Sequence, residues 1–165
     1  MSLGLAHKIQ LVSLGVQGGV VQMGTKGFGS RRVPMLSVGG TAQLLPSLRF
    51  GGSVYNITQS RLHEETGEYL PTLMRAGLLW QPLELLRLVV QTDKDVDYPA
   101  SFRTGLEYQL RSFLYLRTGL STQPLSLHGG LGFWPGRFRM DYALQHHAHL
   151  GVQHQLSVGL KLQTE

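Results

Sequence analysis

Large apolar side chains recur at every second position along most of this chain. Between 102 and 110, Phe102, Leu106, Tyr108 and Leu110 fall on one side of an extended backbone, while Arg103, Gly105, Glu107 and Gln109 fall on the other. The pattern restarts four more times. Leu114, Leu116 and Leu120 oppose Tyr115, Arg117 and Gly119. Leu125, Leu127, Leu131 and Phe133 oppose Ser126, His128, Gly130 and Gly132. Phe138, Met140, Tyr142 and Leu144 oppose Arg139, Asp141, Ala143 and Gln145. Val152, Leu156, Val158, Leu160 and Leu162 oppose Gln153, Gln155, Ser157, Gly159 and Lys161. Successive strand residues point to opposite faces, so a period of two predicts strands with one apolar and one polar face. Only Thr104, Thr118, Gly129 and His154 interrupt the apolar side of these five segments.

The first half repeats the pattern less cleanly and predicts strands near 2–10, 12–23, 33–44, 48–57, 71–81 and 86–92. Leu is a good helix former, but no segment sustains a helical period, and the alternation outweighs propensity. The expectation is all-β, with about eleven antiparallel strands in a meander forming a single domain over 1–165. Connections at 10–11, 45–47, 82–85, 111–113 and 134–136 are tight. Those at 24–32, 58–70, 93–100 and 146–151 are longer and more polar, with 122–124 the short exception. Transmembrane barrels have short turns on one side and longer loops on the other. Trp80, Phe113, Phe133, Trp134 and Phe138 all lie beside tight turns, where an aromatic girdle at a membrane boundary is expected.

Composition sharpens the choice between a membrane sheet and a soluble one. Charged residues make up 15% of the chain, against about 25% in a typical soluble domain. Gly is abundant, with 21 residues. The apolar segments also reach the roughly nine to eleven residues that a tilted membrane strand needs. These features favour a transmembrane β-barrel, or an open part of one, in which Leu106, Leu116, Leu127, Met140, Leu156 and Val158 face lipid. A soluble β-domain that binds an apolar ligand is the alternative, because the same alternation also describes a sandwich.

The net charge of +5 brings nucleic acid into view. However, Arg49, Arg75, Arg87, Arg103, Arg117 and Arg139 stand singly in separate segments, a poor footprint for a phosphate backbone, so no nucleic-acid partner is expected. The chain has no Cys, so thiol and zinc-thiolate chemistry are out of reach. No run of about 18 apolar residues predicts a membrane helix. The opening Ser2-Leu3-Gly4-Leu5-Ala6-His7-Lys8 lacks the apolar core of a signal peptide.

Candidate chemistry is sparse. Arg103, Glu107, Arg117, Arg139 and Asp141 share the polar face of neighbouring strands, where a lumenal network of paired charges is expected, since unpaired charges in a narrow lumen are costly. An acid pair drawn from Glu107 and Asp141 is the less favoured reading. His146, His147, His149 and His154 crowd one loop and the next strand, but no carboxylate or Cys completes a metal set. Gly24-Thr25-Lys26-Gly27-Phe28-Gly29-Ser30 lacks the spacing of a phosphate loop and reads as an outer loop. No catalytic residue, cofactor or metal is expected, and the chain is not expected to be an enzyme.

Several short motifs stand in order along the chain. They are Val54-Tyr55-Asn56-Ile57-Thr58; Leu70-Pro71 with Arg75-Ala76-Gly77; Phe102-Arg103-Thr104-Gly105-Leu106-Glu107-Tyr108; Leu116-Arg117-Thr118-Gly119; Asp141-Tyr142-Ala143-Leu144; and Leu150-Gly151 with His154-Gln155-Leu156-Ser157-Val158. Together they resemble the C-terminal portion of the PorV/PorQ-type proteins, FadL-like barrels of the bacterial outer membrane. The resemblance implies a barrel of about fourteen strands and a secretion-associated or scaffold role connected with type IX export. It implies outer-membrane lipid and secretion-system proteins as partners. The alternative is a FadL-like conduit for hydrophobic small molecules. Eleven strands is an odd number, whereas exported bacterial barrels have an even one. With the missing signal peptide, this leads to the expectation that strands, three by the resemblance, precede Ser2 in a longer barrel. The ending Lys161-Leu162-Gln163-Thr164-Glu165 also departs from the terminal aromatic of such barrels.

Overall fold

The computed structural model describes residues 2–25, 29–61, 69–147 and 151–161. Among these residues every regular element is a strand. The strands are β1 (Ser2–Ile9), β2 (Val12–Thr25), β3 (Gly29–Leu45), β4 (Leu48–Tyr55), β5 (Leu73–Leu83), β6 (Leu86–Asp95), β7 (Ser101–Arg111), β8 (Leu114–Thr122), β9 (Leu125–Phe133), β10 (Phe138–His147) and β11 (Gly151–Leu160). Each strand is hydrogen-bonded to the next in an antiparallel meander of order β1 through β11. The all-β, eleven-strand architecture expected from the alternation is therefore the one observed.

Two strands run further than the alternation suggested. β2 continues to Thr25 and β3 begins at Gly29, so most of the glycine-rich segment read as a loop is paired strand, with Gly24 opposite Ser30 and Thr25 opposite Gly29. Only Lys26–Phe28 lie outside the described residues. Glycine weakens a strand but does not stop one when the partner continues.

The chain divides into two compact units. Unit 1 comprises Met1–Gly77 and Asp93–Ala100; unit 2 comprises Leu78–Thr92 and Ser101–Glu165. The boundaries at 77/78 and 92/93 fall inside β5 and β6, and the one at 100/101 falls at the start of β7.

In unit 1, β2 pairs with β1 and β3 in continuous register, and β3 pairs with β4 until a bulge between Gln43 and Leu45. The turn after the bulge is held by the Gln43 amide, which donates to the carbonyls of Leu45 and Pro46 at 2.5 and 3.1 Å. Leu5, Val16, Val38 and Val54 lie in one cross-strand row and share a face; Gly15, Gly39 and Ser53 lie in the row on the other. In unit 2, β7 to β11 pair in the same manner, with one bulge between Gln109 and Arg111. There Leu116, Leu131, Tyr142 and Leu156 form one apolar row, and Arg117, Gly130, Ala143 and Gln155 form a row on the opposite face.

Conventional core is almost absent. Val33, Met35 and Leu70 are the buried apolar side chains among the described residues. They gather at one end of unit 1 around Asn56, whose side chain is fully enclosed. Asn56 adopts a left-handed backbone (φ 54°), which Asn tolerates better than most residues. Its amide donates to the Leu70 carbonyl at 2.7 Å, and its oxygen accepts from Thr58 at 2.9 Å and from the Ser60 amide at 3.3 Å. The Thr72 hydroxyl returns a bond to the Asn56 carbonyl at 3.0 Å. One asparagine thus fastens both ends of the β4–β5 connection.

Candidate functional site

The polar face of unit 2 carries a connected lattice of charge. Register places Glu107 directly opposite Arg117 on β7 and β8, and the Arg117 Nε donates to Glu107 Oε2 at 2.7 Å. The other Glu107 oxygen accepts from Arg87 Nη1 of β6 at 3.0 Å. On its far side Arg117 faces β9, where the opposing residue is Gly130 and the next on that face is Gly132. The two glycines leave a gap across β9. Arg117 Nη1 reaches over it to Asp141 Oδ1 of β10 at 2.6 Å. A Cβ on Gly132 would lie 3.0 Å from Asp141 Oδ1 and 3.3 Å from the Arg117 guanidinium, so this glycine is where the close approach needs an absent side chain. Asp141 Oδ2 accepts from Arg139 Nε at 2.9 Å. Cations and anions therefore alternate along Arg87, Glu107, Arg117, Asp141 and Arg139.

Trp134 completes the lattice. It follows Phe133 off the end of β9, and its backbone N–H donates to the Phe113 carbonyl at 2.7 Å. Its indole Nε1 donates to Asp141 Oδ1 at 3.1 Å. The ring lies 4.1 Å from the Tyr115 ring, with the Arg139 guanidinium 4.0 Å and that of Arg117 5.1 Å from its centroid. Aromatic contact and cation–π attraction thus hold the β9–β10 turn against the charged row. Glu107 and Asp141 are each 22% exposed at the side chain, whereas Arg87 and Arg139 are half-exposed or more. The central Arg117 pairs therefore carry more of the energy than the outer ones, which water screens.

Of the residues assigned to this network from sequence, the structure brings Glu107, Arg117, Arg139 and Asp141 together. Arg103 lies further along the same face of β7, opposite Ser121. Sequence reading missed Arg87 and Trp134. Arg87 sits in the shortest of the expected strands beside Val89 on the same parity, which blurred its face. Trp134 had been grouped with a girdle of aromatics, but its ring turns to the polar face. Trp80, Phe113, Phe133 and Phe138 are exposed instead, with Phe113 and Phe133 in an edge-to-face contact at 5.6 Å.

The opposite face of unit 2 is apolar and open. Leu116, Leu127, Met140, Leu156 and Val158 are exposed, at 58% for Leu127 and 67% for Leu156, and Leu106 is half-buried. All six share the parity opposite to the charge lattice.

The histidines do not converge. His146 and His154 lie on the apolar face and His147 on the polar one, because neighbours in a strand point apart. His149 lies outside the described residues. Among the described residues no three metal-ligating side chains come together. His154 Nδ1 instead lies 2.7 Å from the Tyr142 hydroxyl. His147 Nδ1 lies 3.0 Å from the Ser126 hydroxyl, and its Nε2 lies 2.7 Å from the Gln145 amide. Ser126 is only 1% exposed and also bonds the Pro124 carbonyl at 3.3 Å. An enclosed hydroxyl tied to a turn carbonyl is in the wrong setting for a nucleophile.

Unit 1 has a different polar face. Gly4, Ala6, Gly15, Ser37, Gly39 and Ser53 line an open concavity of about 460 Å³, together with Gln17, Tyr55 and Arg75. Arg75 pairs with Asp93 at 3.2 Å. No family model, curated protein or solved structure matches the chain.

Proposed function

We propose that this chain is a membrane-spanning β-sheet protein of the bacterial outer membrane, of the PorV/PorQ type, with a secretion-associated or scaffold role. One observation carries the reading: a broad exposed apolar face backs directly onto a polar face whose charges are paired. Exposed apolar patches on soluble monomers rarely exceed a few hundred Å². Large apolar side chains lie open in every strand, while three are buried among the described residues, a distribution that suits hydrocarbon better than water. In hydrocarbon the same face is at rest, and hairpin strands satisfy their backbone groups by mutual pairing. The charge lattice then braces a polar wall facing a lumen, a job suited to a rigid scaffold. The concavity in unit 1 favours a second reading, a conduit for hydrophobic small molecules, because it offers room where the lattice of unit 2 offers none.

Flotation of the refolded chain with phosphatidylcholine vesicles on a density gradient tests the membrane reading. Co-flotation with protection of the strands from protease is the expected result. A chain that stays soluble and folded without lipid or detergent overturns it. Saturable binding of a long-chain fatty acid, abolished by filling the concavity with Ala6→Phe, would move the assignment from scaffold to conduit.

A further inference from the structure

We infer that the tight-turn end of the polar face in unit 2 is a docking surface for an acidic, proline-rich segment of a water-borne protein. The segment binds in polyproline II conformation, with a carboxylate at every third residue. The inference deepens the scaffold reading above, on which it rests, by naming what the scaffold grips.

Charge at this end does not balance. Backbone bonds fasten its turns side by side: Gln109 N–H donates to the Leu85 carbonyl at 2.8 Å, Trp134 N–H to that of Phe113 at 2.7 Å, and Lys161 N–H to that of Arg137 at 2.9 Å. Along this rim Arg111, Arg137 and Lys161 are exposed, and Glu84 is the one carboxylate among the described residues there. The other described carboxylates of unit 2, Glu107 and Asp141, already accept from Arg87, Arg117 and Arg139. An anion from elsewhere is what complements the rim. Parity says where it comes from. The Arg137–Lys161 bond lies two residues beyond the Arg139–Gly159 pair, so both side chains start from the polar face. Phe133 and Phe138 occupy the opposite face at the same end. On the membrane reading, lipid headgroups lie on that Phe side, so the complementary anion is one that approaches through water.

Spacing and chemistry select the conformation. Arg111 belongs to the β7–β8 turn and Arg137 to the β9–β10 turn. Consecutive hairpins repeat every two strands, so these turns are about 9.5 Å apart at ordinary strand spacing. A polyproline II helix returns to the same side every third residue, at intervals of about 9.3 Å. A β-strand offers no such match, because residues three apart point to opposite faces. The same two hairpins carry Tyr115 and Trp134, whose ring centroids lie 4.1 Å apart. Both rings are half-buried, so part of each meets solvent. Aromatic surfaces of this kind seat the rings of polyproline II ligands, which arrive already ordered. Cations at the hairpin pitch with an aromatic pair beside them thus fit proline and carboxylate together.

Trp134 reports the site directly once Trp80→Phe has removed the other tryptophan. That chain is titrated with a peptide of Glu-Pro-Pro repeats in phosphatidylcholine vesicles and, separately, in detergent micelles. A saturable change in Trp134 emission is expected, weakening as salt rises. Arg111→Gln, Arg137→Gln and Lys161→Gln should each weaken binding about two- to fivefold. Arg137→Lys should retain most of it. Arg103→Gln, the same loss of charge at the other end of β7, should leave it unchanged. A Gln-Pro-Pro peptide should not bind, and a Glu-Gly-Ser peptide of equal charge should bind less tightly. Equal weakening by Arg103→Gln overturns the inference, since the attraction is then general to the chain. Equal affinity for the Glu-Gly-Ser peptide also overturns it, since conformation then plays no part. So do phosphatidylglycerol vesicles that reproduce the Trp134 change without peptide, in a manner abolished by Arg137→Gln, because the anion is then a headgroup. Co-flotation without peptide binding breaks the docking inference alone. Peptide binding in micelles by a chain that does not float breaks the membrane reading alone.

Discussion

Each unit carries an apolar face, and the two differ in what they build on the other. In unit 1 small residues, Gly4, Ala6, Gly15, Ser37, Gly39 and Ser53, leave an open concavity on that face. In unit 2 it is filled, with Arg117 reaching across a glycine gap to Asp141 and Trp134 lying over the row. Stabilising polar contacts are likewise distributed differently. Unit 1 gathers its enclosed ones in the bonds around Asn56. Unit 2 spreads them across β6, β7, β8 and β10. On the membrane reading proposed above, the apolar face is fixed by its surroundings, since any strand in contact with hydrocarbon must present apolar side chains there. The polar face answers only to local packing and to function, so it is free to differ.

The largest expected effect tests the shared half of this comparison. Leu14→Arg in unit 1 and Leu127→Arg in unit 2 should each destabilise the vesicle-folded chain by about 2–4 kcal/mol if their positions lie near the bilayer midplane. Gln155→Arg, on the polar face, should cost little. Urea unfolding in vesicles measures all three. Comparable losses for Leu14→Arg and Gln155→Arg would show that the two faces do not meet different media. Ser126 is a poor polar-face control, since its enclosed side chain leaves no room for a larger one.

Next is the concentrated anchor of unit 1. Asn56→Ala should cost about 2–3 kcal/mol, because it leaves the Leu70 carbonyl and the Ser60 amide without their partner in an enclosed site. Asn56→Gly should recover about 1 kcal/mol of that loss by accepting the positive φ. If Ala and Gly behave alike, the left-handed backbone is not what selects Asn there.

The distributed lattice of unit 2 should respond more gently. Asp141→Asn removes the charge that pairs with Arg117 and Arg139 and one of the two oxygens that accept from Arg117, Arg139 and Trp134, at about 1–3 kcal/mol, given partly exposed charged bonds. The loss should shrink in high salt, since screening already weakens the pairs in the parent. A loss as large as that of Asn56→Ala, and insensitive to salt, would mean that unit 2 also depends on a single anchor.

Much of this was legible from alternation alone, because strand periodicity and face assignment are properties of neighbouring residues. The strands from Phe102 to Leu160 and the shared face of Glu107, Arg117, Arg139 and Asp141 follow from parity. What parity leaves open is reach. That Arg117 spans β9 to Asp141 depends on Gly130 and Gly132 falling opposite it, which requires the β8–β9 register, and register is set by turn geometry. Asn56 read as an ordinary strand end, since its role depends on Leu70 and Thr72 returning to it after a long loop. Trp134 sits past the last alternating residue of β9, where strand parity no longer says which way a side chain turns.

The smallest expected effect concerns that tryptophan and separates the two faces within one unit. Trp134→Phe keeps an aromatic ring over Tyr115 and Arg139 but loses the indole donor to Asp141. Asp141 retains its bonds to Arg117 and Arg139, so the carboxylate is not left without partners. The cost should therefore be that of one net hydrogen bond, about 0.5–1.5 kcal/mol. The chain has two tryptophans, and the variant leaves only Trp80, which is exposed on β5. In vesicles containing brominated lipid, Trp80 fluorescence should be strongly quenched, while aqueous iodide should have little effect. The reciprocal Trp80→Phe, reporting Trp134 from the polar face, should show the reverse preference. If both variants respond alike to the lipid-borne quencher, Trp134 lies with the other aromatics at the boundary and the polar face loses its aromatic brace.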